Sequence, residues 1–296
     1  MGGMRSIAAH LDGGWRRWAD PAWLEGWKER AFELPGGFTR MVVMGEGPAL
    51  LLLPPIPGYK EAYVACAFLL ARRFRVVTYD LRSEFGGRPP WEALLDDLRR
   101  VAEAVAPGLA AVAGHSLGGA LAQRFALAHP ERVAGLVLSS SFARVVTPRS
   151  QWRARFLEQP AVLAALRFLP ERRALAAAQR LAARGRWVFD PRCDRHVLGL
   201  VRHGVRHLPL GLAASRVRLA FDHDARADLP RLRCPALVIA GERESVSYRA
   251  AAEELARLLP RARLALSPGC GHLHPLSNPE WFAETIGGWL SPAMAR

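Results

Sequence analysis

The chain is short of cysteine, nearly devoid of lysine and free of long apolar runs, and each shortage removes a class of function. Its four cysteines, Cys66, Cys193, Cys234 and Cys270, form no Cys-x-x-Cys pair, which argues against a disulfide framework and a cysteine-based zinc site. No run of roughly 18 or more apolar residues occurs, so no stable membrane insertion is expected. Residues Met1 to Ser6 lead into no continuous apolar segment. No signal peptide is therefore expected, and the expected location is cytoplasmic. Lysine is confined to Lys28 and Lys60, so the positive side of a +14 net charge, with 41 basic against 27 acidic residues, is almost all arginine. The arginines are spread along the whole chain, with no aromatic-flanked basic ribbon and no DNA-binding motif. They read as a compositional bias with at most weak steering of acidic partners, and no nucleic-acid partner is expected.

What remains is a chain of 296 residues, 50% of them apolar, which is enough for a substantial core. Strand and helix patterns alternate along it. Strands are expected at 39–44, 49–53, 75–79, 109–113, 133–139, 236–240 and 263–266. Helices are expected at 61–71, 91–105, 120–129, 248–259 and 279–290. Such alternation predicts an α/β fold, with a mostly parallel sheet flanked by helices. From Phe142 to Leu229 the rhythm breaks into helix-like runs rich in alanine, leucine and arginine, such as 160–168 and 172–184. The expected organisation is a Trp-rich helical extension over 1–36, a core formed by 37–141 and 231–296, and a helical cap over 142–230. The cap would close a pocket over the carboxyl edge of the sheet, where ligands bind in such sheets.

The richest chemical signal is Gly114-His115-Ser116-Leu117-Gly118-Gly119, lying between an apolar strand and a helix. A strand-to-helix turn this tight holds its central serine in strained backbone angles. Glycines two before and two after keep the neighbouring turns from colliding, leaving the hydroxyl at the tip. A serine hydroxyl needs a base, and the base an orienting acid, expected in the chain order serine, acid, histidine. His272, in the loop Ser267-Pro268-Gly269-Cys270-Gly271-His272 after the last strand, is the candidate base, with His274 its competitor. Glu244, in Gly241-Glu242-Arg243-Glu244 after the strand 236–240, is the candidate acid, with Glu242 next. The oxyanion donors are expected at the backbone N–H of Leu117 and at the loop Pro54-Pro55-Ile56-Pro57-Gly58. Prolines cannot donate, which leaves Ile56, preferred, and Gly58.

These landmarks, together with Asp80 after its strand, resemble the α/β-hydrolase superfamily from about Thr39 to Leu290. The resemblance implies Ser116 as nucleophile, His272 as base, Glu244 as acid, and neither cofactor nor metal. Two departures stand out: Pro54-Pro55 where many relatives carry His-Gly, and Glu244 where most carry aspartate. The Leu53-Pro54-Pro55 start of the loop looks like the maspardin branch, whose members are suspected of acting as binding proteins. A serine at the nucleophile position argues against dehalogenation of haloalkanes, which needs a carboxylate there. The expected function is hydrolysis of an ester, thioester or lactone through an acyl-enzyme on Ser116, with a small-molecule substrate bearing an apolar acyl or ring moiety. A non-catalytic binding protein of the same fold stays open beside it, as does a lyase or carbon–carbon hydrolase using the same residues.

Three other features invite a functional reading. Trp15, Trp18, Trp23 and Trp27 are spaced to pack an extra helix on the domain, or to form an aromatic lid or a partner surface. His196, His203 and His207 share a helix face only approximately and are expected to be solvated or locally bonded. Asp222-His223-Asp224 has the residue types of a metal site but no fourth ligand at useful spacing, and a solvated loop is expected there.

Overall fold

In a computed structural model that describes residues 4–186 and 188–294, the chain folds around an eight-stranded sheet. Its strands are β1 (Glu29–Leu34), β2 (Gly37–Met44), β3 (Ala49–Leu53), β4 (Arg75–Tyr79), β5 (Ala110–His115), β6 (Val133–Ser139), β7 (Ala236–Gly241) and β8 (Ala262–Ser267), arranged in the order β1-β2-β4-β3-β5-β6-β7-β8. The pairs β1–β2 and β2–β4 are antiparallel, and every other pair is parallel. This is the mostly parallel, helix-flanked sheet that the strand–helix alternation predicts, and the α/β-hydrolase fold that the resemblance implies.

Both faces of the sheet are covered, so its central strands are apolar throughout, as parallel strands buried on two sides must be. Successive residues of β3 serve opposite faces. Leu51 and Leu53 pack with α2 (Pro90–Val105) and α3 (Leu117–Ala128) through Leu98, Leu121 and Phe125. Leu50 and Leu52 pack with α1 (Val64–Leu70) and with Ile286 and Leu290 near the C-terminus. Between β6 and β7 lie α4 (Gln159–Phe168), α5 (Glu171–Ala183), α6 (Arg195–His207) and α7 (Leu210–Asp222), and no strand among the described residues. After β7 come α8 (Val246–Leu258), then β8, α9 (His274–Ser277) and α10 (Pro279–Met294).

The N-terminal segment departs from the helical extension expected over 1–36. It forms two short 3₁₀ turns, Gly13–Trp18 and Pro21–Leu24, and then the edge strand β1. The Gly13-Gly14 pair and Pro21 cut the segment into turns too short for an α-helix. Packing by tryptophan does occur: Trp15, Trp18 and Trp27 are buried, and Trp15 meets Trp27 edge to face at 6.0 Å. Trp18 lies so close against Gly199 of α6 that a Cβ there would collide with its ring.

Candidate active site

Ser116 joins β5 to α3 with φ 53° and ψ −116°, a left-handed conformation in which an L-residue is strained. The neighbouring glycines make this turn possible. A Cβ on Gly114 would collide with the Gly118 carbonyl, and one on Gly119 with the Ser141 side chain. The Ser116 N–H donates to the Ser139 carbonyl at 2.9 Å, and Ser141 Oγ donates to the Ser116 carbonyl at 2.9 Å. The turn is thus tied down from β6, and the Ser116 residue is 8% exposed.

His272 and Glu244 meet at 3.1 Å, Nδ1 to Oε1. With the Nδ1–H donating to the carboxylate, the lone pair of a neutral ring lies on Nε2. The His272 ring is 4.9 Å, centre to centre, from that of His115, the residue just before Ser116, and 4.4 Å from the Tyr248 ring. Two carbonyl contacts explain why the loops come this close: the Arg243 N–H donates to Cys270, and the Glu242 N–H to Ser267. A Cβ on Gly241 would strike the Cys270 and Gly271 carbonyls, so this close approach requires glycine there.

Burial opposes a charge on Glu244, but the His272 ring, its hydrogen bond and the Ser140 hydroxyl outweigh it. Together they hold the carboxyl below its ordinary range. Ser140 Oγ donates to Glu244 Oε2 at 2.6 Å. The two competing candidates stand elsewhere. Glu242 is exposed and accepts from the Gly269 N–H at 2.7 Å, bracing the histidine loop. His274 is fully buried, with Nε2 at 3.1 Å from Ser140 Oγ and 3.2 Å from Ser139 Oγ, and burial lowers its pKa to about 3.

The loop from Pro54 to Gly58 lies along the start of α3. A Cβ on Gly118 would collide with the Leu53 carbonyl, so only glycine lets loop and helix touch. The Ile56–Pro57 peptide is cis, and the Gly58 N–H donates to the Pro55 carbonyl within a tight turn. That bond engages Gly58 and leaves Ile56 as the loop's unpaired N–H among the described residues. The Leu117 N–H opens α3, where no preceding turn supplies an acceptor. From below, the buried Arg216 of α7 packs against Gly58 and donates to the Leu81 carbonyl at 2.8 Å.

A cleft of ≈ 360 Å³ reaches His272 and Glu244. Its walls include Gln159, Gly185, Arg186 and Val188 on one side and Arg243 and Tyr248 on the other. Several parts of this arrangement escape sequence reasoning. Ser139 and Ser140 hold the acid and His274; the only sign of them is three consecutive serines at the end of a buried strand. Asp190, which is buried, accepts from the Gly271 N–H at 2.9 Å and from Ser277 Oγ at 3.0 Å, holding the histidine loop from outside it. Nothing in its local sequence marks it.

The histidine-bearing loop at 222–224 corrects its expectation. His223 is buried rather than solvated, with Nε2 at 3.2 Å from Gln123 Oε1 and Nδ1 at 3.2 Å from Arg124 Nε. Both partners come from α3, which the local sequence does not reveal. Asp224 is paired with Arg226 at 2.7 Å.

This chain belongs to the alpha/beta hydrolase family, whose model its residues 50–285 match. Among its relatives is the pimeloyl-[acyl-carrier protein] methyl ester esterase of Nitrosomonas europaea, 31% identical over 81% of this chain and 94% of that one. A solved thermophilic esterase from Thermogutta terrifontis superposes with a TM-score of 0.67 at 26% identity, covering 90% of this chain and 99% of that one. The enol-lactonase of Burkholderia xenovorans, at 22% identity and a TM-score of 0.68 over 88% of this chain and 100% of that one, is a likeness of fold alone. No helix among the described residues is long and apolar enough to cross a membrane.

Proposed function

We propose that the protein is a serine hydrolase that cleaves a small-molecule ester, thioester or lactone through an acyl-enzyme on Ser116. The observation that carries this reading is the pairing of His272 with the buried side chain of Glu244 beside the strained Ser116 turn. In this reading His272 Nε2 takes the Ser116 proton as Oγ attacks the carbonyl, and Glu244 stabilises the imidazolium. The oxyanion forms between the Ile56 and Leu117 amides, each such donor contributing about 3–4 kcal/mol in the transition state. The imidazolium then returns its proton to the leaving alcohol, thiol or, in a lactone, the ring oxygen. Water, deprotonated by His272, cleaves the acyl-enzyme and restores the serine hydroxyl.

The helices between β6 and β7 act as a cap that sets substrate choice. Val188, Val246 and Tyr248 suit an apolar acyl or ring moiety, while Arg186 and Arg243 offer positive charge to an anionic end of the same molecule. The esterases among the relatives belong to the same reaction class.

The test is labelling by a fluorophosphonate, with Ser116→Ala as control. Wild type labels and the variant does not; equal labelling of both, or of neither, overturns the reading. Failure of both to label favours a non-catalytic binding protein. Labelling with poor turnover of short-chain aryl esters favours a lyase or carbon–carbon hydrolase.

A further inference from the structure

Away from the cleft, the first 3₁₀ turn meets α6 through three side chains that the candidate active site does not use. His203 and His207 are four residues apart on α6 and so project from one face. Their rings stack with centres 4.2 Å apart. Both Nε2 atoms turn to a single carboxylate: His203 Nε2 lies 2.9 Å from Asp12 Oδ1, and His207 Nε2 lies 3.1 Å from Asp12 Oδ2. His207 Nδ1 sits 2.8 Å from the His203 carbonyl. A carbonyl only accepts, so Nδ1 carries a hydrogen, and in the neutral ring Nε2 presents its lone pair to Asp12. His203 Nε2, although close to the carboxylate, finds no hydrogen-bond partner.

The three ligand atoms therefore converge within 4.8 Å of one another. The second nitrogen of His207 is fixed by a backbone carbonyl, the support that a metal-bound imidazole normally has. Gly14 makes the convergence possible: its N–H donates to Asp12 Oδ1 at 3.0 Å, and a Cβ there would press on His203 Cε1 at 3.1 Å. We propose that Asp12, His203 and His207 bind one divalent transition-metal cation of the zinc class, which staples the N-terminal segment to α6. Two imidazoles and one carboxylate suit such an ion. Tetrahedral ligands at zinc distances stand roughly 3.3 Å apart, so the two nitrogen–oxygen contacts need to spread by a few tenths of an ångström, and every pair already lies within 4.8 Å. The side chain of Asp12 is 63% exposed and that of His207 35%, which leaves room for that movement and opens the remaining coordination position to water. Gly204, next to His203, faces Pro57 and Tyr59. The staple thus holds the helix that covers the proposed oxyanion loop.

The test is calorimetric titration of the chelator-treated full chain with ZnCl₂ alone, with cobalt(II) absorption as a second readout. Asp12→Asn and His207→Ala alter exposed side chains, and their melting temperatures in chelator report whether they fold. The expected result is one zinc per wild-type chain, about tenfold or more weaker binding in each variant, and ligand-field bands from cobalt that both variants lose. No stoichiometric zinc binding by the wild type, or the same affinity in all three proteins, overturns the proposal. Active-site labelling is read separately, so failure here leaves the assignment at Ser116 standing.

Discussion

Ser140 Oγ and Glu244 Oε2 are 2.6 Å apart, bridging the ends of β6 and β7. Ser140 is held with φ at 42°, a costly conformation for serine, and its hydroxyl also lies 3.1 Å from His274 Nε2. With Ser140 donating to the carboxylate, the neutral His274 donates to Ser140. The chain His274–Ser140–Glu244–His272 therefore orients the imidazole from the side away from Ser116. Ser140→Ala removes a hydrogen bond to a charged group, worth about 1.5–3 kcal/mol. We expect kcat on an aryl ester to fall by about tenfold or more with KM little changed. An unaltered kcat would exclude this positioning role.

The two glutamates after β7 make separable predictions. Glu244→Gln keeps the side chain's shape but offers an amide to His272 and can hold the wrong tautomer, which in serine hydrolases costs up to about 10⁴ in kcat. Glu242→Gln touches only the loop brace at Gly269, so turnover should stay within about threefold, in line with a weakened neutral contact. Steady-state kinetics of the two variants on one ester give the comparison. A larger loss in Glu242→Gln would reverse the assignment.

The apolar strands, the tight turn at Ser116 and the loops that carry Glu244 and His272 were legible because they depend on local pattern. β3, β5 and β7 are apolar runs ending at glycine or proline, and their burial on both faces leaves a continuous signature. β1 carries none: Glu29–Leu34 lies at the sheet edge with only Leu34 buried, and only its pairing with β2 defines it. The residues that hold the site together, Ser140 and Asp190, act over 104 and 81 positions of sequence. No periodicity or motif records a contact of that range. His203 and His207 are visible as a helical pair, but Asp12, which joins them, comes from the other end of the chain.

Three buried histidines set the acid limit of stability. Burial lowers the pKa of His223 and His274 to about 3 and that of His115 well below 6.5; Arg124 adds to the effect at His223, and Glu244 opposes it at His274. In the native state they stay neutral, whereas in the unfolded chain each takes up a proton as pH falls through about 6.5. The unfolded state then binds more protons, so this stability is fully present above pH 6.5 and is lost as pH falls from there towards 3. One histidine contributes about 2 kcal/mol of that loss between pH 7 and 5. Urea midpoints should therefore drop over this interval, and His223→Gln should shallow the drop by about that amount. An equal slope in the variant would mean that His223 does not stay neutral in the fold.

Lys60, one of only two lysines in the chain, is wholly buried. Its Nζ lies 2.7 Å from Glu61, 3.0 Å from Asp80 and 3.3 Å from Glu29, and its N–H donates to Asp80 Oδ1 at 3.0 Å. Asp80 also meets His10 Nδ1 at 2.6 Å. The cluster therefore fastens the N-terminal segment, β1, the end of β4 and the chain just after the Pro54–Gly58 loop to one ammonium. Burial opposes the lysine charge, and the three carboxylates outweigh it and raise its pKa. Burial, with Asp80 beside it, pushes Glu61 above the usual carboxylate range, against the pull of Lys60. Lys60→Met keeps much of the volume and leaves the carboxylates uncompensated, which should cost about 3–5 kcal/mol near neutral pH. Without the ammonium the carboxyls relieve their repulsion by taking up protons, so the deficit relative to wild type should narrow as pH falls towards 5. Urea unfolding of both proteins at pH 7.5 and 5 measures this, and a deficit independent of pH would mean that lost packing, not unpaired charge, accounts for it.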